Sequence, residues 1–113
     1  MKKVLSESEY RQIKQDKIYD IMVHLEETTL KKEEPNLEQF ELELHDILIY
    51  QTKDLKEEPA NGIKIFLPHE NITILFTPDF FLVRKNNLPV ISGDINIAGV
   101  FSLYAFLGID DWM

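Results

Sequence analysis

Apolar positions recur with a helical period in the first quarter of the chain and with a period of two in the second half. On a wheel of about 100° per residue, Tyr10, Ile13, Ile18, Ile21, Met22 and Leu25 share one half, and Gln12, Asp16, Glu26 and Glu27 lie opposite. Ser6 followed three residues later by Glu9 is a capping box, and Leu5 with Tyr10 occupies the two positions of a hydrophobic staple. Together these features predict a helix over residues 7–27.

Residues 36–57 carry two overlapping patterns. Read as a helix, Asn36 caps it, Leu37, Phe40, Leu44, Ile47, Leu48 and Leu55 form a stripe, and Pro59 ends it. Read as a long strand, Phe40, Leu42 and Leu44 alternate with Glu41, Glu43 and His45, and Ile47-Leu48-Ile49-Tyr50 has strand composition. The helical propensity of the Glu, Leu and Gln residues favours the helix.

From Asn61-Gly62 the pattern becomes short strands with turn punctuation. Alternation in 62–67, 72–76, 80–85 and 88–92, broken at His69-Glu70-Asn71, Thr77-Pro78-Asp79 and Asn86-Asn87, predicts a four-stranded antiparallel meander over about 62–92. A C-terminal helix over 95–107 follows, with Asp94 as its expected N-cap and Gly108-Ile109 as a Schellman ending. Its apolar residues Ile97, Val100, Phe101, Leu103, Tyr104 and Leu107 call for burial or an interface. The expected architecture is a single compact α+β domain over residues 1–113. Strands 72–76 and 80–85 are apolar on both sides, so both faces of the sheet ask for cover. The two terminal helices suffice for one face, leaving helix 36–57 or a dimer partner for the other.

Composition narrows the function classes. Twelve basic against twenty acidic residues give a net charge of −8, which disfavours direct binding to nucleic acid or to anionic lipid. The excess is concentrated: residues 36–59 hold two positive and seven negative charges. Without cysteine there is no disulfide, thiolate ligand or cysteine nucleophile. The apolar stretch from Ile95 to Ile109 is too short for a membrane span, and the polar Ser6–Glu9 segment interrupts any signal peptide, so the expected location is cytoplasmic.

Catalytic signatures are sparse. The glycines at 62, 93, 99 and 108 are too dispersed for a phosphate loop, and there is no Gly-x-Ser-x-Gly. His24, His45 and His69 lie near Glu27, Asp46 and Glu70 but lack the i, i+4 spacing of a helical metal site, so neither a metal nor a cofactor is expected. Asp79, Asp94, Asp110 and Asp111 read as turn and cap residues. The expectation is therefore not an enzyme but a small acidic binding protein, of inhibitor or immunity type, docking on a protein with a basic surface. Its candidate contacts are Glu38, Glu41, Glu43 and Asp46, with Phe106 and Trp112 as aromatic anchors. The alternative is a homodimeric chaperone-like or structural adaptor whose charge serves solubility alone.

Overall fold

The computed structural model describes residues 5–56 and 59–109. Helix α1 (Glu7–Leu30) leads through a 3-10 turn at Glu38–Phe40 into strands β1 (Leu42–Glu43), β2 (Leu48–Gln51), β3 (Ile63–Leu67), β4 (Ile72–Phe76), β5 (Phe81–Lys85) and β6 (Leu88–Gly93), and helix α2 (Ile97–Leu107) follows. The six strands form one antiparallel meander in sequence order.

Helix α1 begins where its local chemistry dictates. Ser6 Oγ accepts the Glu9 amide at 3.2 Å, Glu9 Oε1 accepts the Ser6 amide at 3.1 Å, and Leu5 and Tyr10 pack against the core. It extends three residues beyond the expected end. The buried Thr28 hydroxyl bonds back to the His24 carbonyl at 3.0 Å, and a Schellman motif then stops the helix. In that motif Glu33 N–H reaches Thr28 O at 2.8 Å, and Lys32 takes the left-handed position at φ 57° that glycine usually fills.

The expected helix over 36–57 is not formed, and the sheet has six strands rather than four. The missing two come from this segment: β2 pairs along β3 with Ile49 opposite Ile65, and β1 pairs with β2. Strand pairing satisfies the free edge of β3 and buries Ile47 and Ile49 completely. That gain overrides the modest helical propensity of the Glu and Leu residues, which amounts to tenths of a kcal/mol each. Thr52 closes the loop that follows, its Oγ accepting the Gly62 amide at 3.0 Å and its hydroxyl donating to the Pro59 carbonyl.

One side of the sheet is buried, completely at its centre and partly at Leu42 and Ile91 on its two margins. Ile49, Ile65, Ile74, Val83 and Ile91 align across five strands, with Ile63, Phe76 and Phe81 in the next row. Ile18, Ile21, Met22 and Leu25 of α1 join Val100, Leu103, Tyr104 and Leu107 of α2 in the same core, and Tyr104 Oη donates to the Gln15 carbonyl at 3.1 Å to tie the helices together. Two glycines make room for the Phe81 ring. A Cβ on Gly93 would stand 2.7 Å from Phe81 Cε2, and one on Gly99 would stand 2.9 Å from Met22 Cε and 2.2 Å from the Asp94 carbonyl oxygen.

Helix α2 starts two residues later than expected. Asn96, not Asp94, is its N-cap, with Oδ1 accepting the Gly99 amide at 2.9 Å. Its end follows the sequence: Gly108 is left-handed at φ 71°, and Ile109 N–H reaches Tyr104 O at 2.8 Å. Asn86 and Asn87 both have positive φ, as a two-residue hairpin turn requires.

Candidate functional site

The meander has two unlike faces. Opposite the buried one, register places Glu43, Leu48, Phe66, Thr73 and Arg84 in one row, and Tyr50, Lys64, Leu75, Leu82 and Ser92 in the next. Leu48, Tyr50, Phe66, Leu75 and Leu82 are half-buried by their neighbours in the sheet, and among the described residues no helix lies over them. The absence of helix 36–57 is what leaves this face open.

At the β1 margin the open face runs into acidic chain. Glu33, Glu34, Glu38, Glu41 and Glu43 are all exposed on the connection from α1 and on β1 itself. Glu41 accepts a hydrogen bond from Gln51 Nε2 at 2.7 Å, so its carboxylate also satisfies a buried amide at the end of β2. His24 fixes the course of this connection: its Nε2 accepts the Asn36 amide at 2.9 Å and its ring meets Phe40 edge-on, with centroids 5.3 Å apart.

A second constellation arises from topology. In an antiparallel meander every other turn falls at the same end, which brings the β1–β2, β3–β4 and β5–β6 turns together. Asn71 Nδ2 donates to Asn86 Oδ1 at 2.9 Å and Asn86 N–H to Asn71 O at 3.0 Å, joining two of them. Asp46 in the first turn and His69 in the second are hydrogen-bonded, the His45 and His69 rings lie 5.5 Å apart, and Asp46 Oδ2 accepts the Leu5 amide at 3.2 Å. Burial opposes the charge on Asp46, but the Leu5 amide and the two imidazoles outweigh it and hold the carboxyl below its usual range.

Beside this cluster, Glu70 Oε2 accepts from Tyr10 Oη at 2.6 Å and from the buried Lys14 Nζ at 3.2 Å. Lys14 also sits 4.6 Å from the Tyr10 ring centroid, so its ammonium is matched by both a carboxylate and a π-face. Burial first, then the Glu70 carboxylate, pushes the Tyr10 phenol well above its usual pKa.

The sequence-predicted contact residues therefore separate. Glu38, Glu41 and Glu43 lie on the acidic margin, whereas Asp46 is buried in the turn cluster and contributes nothing to an exposed acidic surface. Phe106 belongs to α2, beyond the opposite side of the sheet from the open face, and is half-buried against the core. Trp112, with Asp110 and Asp111, lies outside the described residues. Sequence reasoning missed the open-face residues Leu48 and Phe66 as a shared surface, although the two-sided apolar character of the strands pointed to one.

No protein-family model, curated protein or solved structure matches the chain. No helix among the described residues is long and apolar enough to cross a membrane.

Proposed function

We propose that this chain is a non-catalytic binding module that docks on a protein partner through the open sheet face and its acidic margin. The observation that carries this reading is the continuity of the two. Glu43 stands in the same cross-strand row as Leu48 and Phe66, so an apolar centre adjoins a charged rim. Interfaces combine those two parts, the centre supplying affinity and the rim steering and orientation. The matching partner presents an apolar patch edged by Lys and Arg.

The test compares the chain with two variants as immobilised bait, in extract of the source organism: Phe66→Ser and the charge reversal Glu41→Lys/Glu43→Lys. The reading expects one stoichiometric protein, captured by the parent, released by salt and lost with both variants. Capture that is indifferent to both changes, or no capture at all, overturns it.

A second reading is favoured by one specific feature. Arg84 stands on β5 in the row that Glu43 begins on β1, with Phe66 midway between them and only Pro89 beyond. A two-fold axis along the strands would bring the acidic end of one copy over the basic end of another, the reciprocity that a symmetric dimer needs. Light scattering separates the readings. A dimer that is lost on Arg84→Glu and regained when Glu43→Arg is added selects self-association, and a monomer dismisses it.

A further inference from the structure

We infer that His45, Asp46 and His69 form a binding site for a divalent transition-metal ion of the Zn²⁺ class at the turn end of the sheet. One donor atom from each residue lies within 4.8 Å of the other two. Donors bound to one tetrahedral Zn²⁺ at about 2.0–2.2 Å from the ion stand roughly 3.3–3.6 Å apart. Seating an ion therefore needs shifts of about 1 Å, some donors closing and the His69–Asp46 pair opening, within the torsional freedom of the two exposed imidazoles.

The donor set suits such an ion. Two imidazoles and one carboxylate are borderline ligands that favour Zn²⁺, Co²⁺ or Ni²⁺ over the harder Mg²⁺ and Ca²⁺, which prefer all-oxygen shells. Asp46 is the fixed member: it is buried, and its second oxygen is held by the Leu5 amide, the kind of outer contact that orients a ligating carboxylate. His69 Nε2 is hydrogen-bonded to the other Asp46 oxygen, closer than two donors stand on one ion, so binding moves these two apart and releases the shared proton to solvent as the ion takes its place. His45 and His69 are exposed, so further coordination positions face solvent and the site has three protein ligands with an open side. Glu70 stays outside the set, engaged by Tyr10 and Lys14.

The competing explanation is an ordinary His–Asp pair with His45 as a bystander, and His45 is what separates the two. The pair between Asp46 and His69 does not use it, so His45→Ala leaves that hydrogen bond and the fold in place. Zn²⁺ is titrated calorimetrically into the untagged, chelator-treated chain, with circular dichroism to verify folding of each variant. One ion per chain is expected, with affinity falling at least about tenfold in His45→Ala and again in His69→Ala. Co²⁺ is expected to show the intense visible absorption of a tetrahedral site in the parent chain only. Zn²⁺ binding unchanged by His45→Ala would assign the ion elsewhere and overturn the inference. Failure of the parent chain to bind at about 100 μM Zn²⁺, an affinity some 5.5 kcal/mol from the standard state, overturns it as well.

Discussion

The two faces of the sheet are built from the same strands, one wholly apolar in its central row and the other mixing apolar with polar and charged residues, and they have opposite surroundings. Ile65, Ile74 and Val83 on one side are sealed beneath α1 and α2, while Phe66, Leu75 and Leu82, each one residue away, remain half-exposed. The apolar positions alone do not say how each face is covered, because a strand that is apolar on both sides only states that both sides are to be covered, although Lys64, Thr73, Arg84 and Ser92 all fall on the open one. Which side the chain itself covers is decided by where its helices come from. Here Tyr104 and Gln15 couple the two helices over a single face, and the segment that the sequence offered as a third helix became strands.

The strongest way to break this contrast is a pair of truncations on opposite faces. Phe81 fills the space between Gly93, Gly99 and Met22 and is completely buried. Phe81→Ala leaves a cavity walled by two glycines that have no side chains to collapse into it, and about 3–5 kcal/mol of stability should be lost. Phe66→Ser, on the open face, should cost less, about 1 kcal/mol, because the side chain is only half-buried and no helix among the described residues packs over it. Urea unfolding of the two variants reads both values. Equal losses would mean that the open face is as structurally committed as the core, and would remove the reason to regard it as a docking surface.

How far this was legible in sequence depends on the range of the interaction that fixes each element. Helix α1 and the Gly108 ending of α2 are set by partners three to five residues away, and the capping box and Schellman pattern announce them. Residues 36–57 are different. Their helical and strand patterns are both genuine, and the decision belongs to Ile65 and its neighbours on β3, which the local pattern does not contain. The turn cluster was invisible for the same reason. Asp46 meets His69 across 23 positions and Leu5 across 41, contacts that exist only once the meander has stacked its turns at one end. Adjacency of His45 and Asp46 was plain, but a spacing rule drawn from helical metal sites had no means of finding a third ligand in another hairpin.

The covered side also makes a prediction about pH that the open side does not. Burial of Tyr104, reinforced by Asp16, Tyr19 and Asp20, pushes its phenol up to about 12 from the ordinary value of 10.0. The folded state thus resists ionisation that the unfolded chain undergoes near 10. Stability from this group is complete below about pH 10 and declines as the pH climbs toward about 12, since over that window the native state binds more protons than the unfolded one. Tyr10, whose phenol is raised in the same direction, adds to the decline. Denaturation midpoints measured between pH 9 and 11.5 should fall steadily, and Tyr104→Phe should flatten the slope. A slope untouched by that substitution would show that α2 does not exclude solvent from the phenol, and the covered face would be less closed than its side-chain burial implies.

The smallest expected effect lies away from both faces and serves as their control. Lys32 ends α1 in the left-handed conformation at φ 57°, within a Schellman motif whose two hydrogen bonds are already made. A side chain there costs about 1–2 kcal/mol relative to the right-handed region. Glycine has no such strain, although it returns roughly 0.4–1 kcal/mol through the greater freedom of the unfolded chain. Lys32→Gly should accordingly stabilise the protein by about 0.5–1 kcal/mol, read as a higher urea midpoint with an unchanged denaturant slope. Because it alters neither the apolar rows nor the acidic residues from Glu38 to Glu43, it should leave docking as it is. Added to Phe66→Ser, it should restore most of the lost stability without restoring capture of the partner. If capture returned with stability, the effect of Phe66→Ser would have been on the fold, and the open face would be no more a binding surface than the covered one.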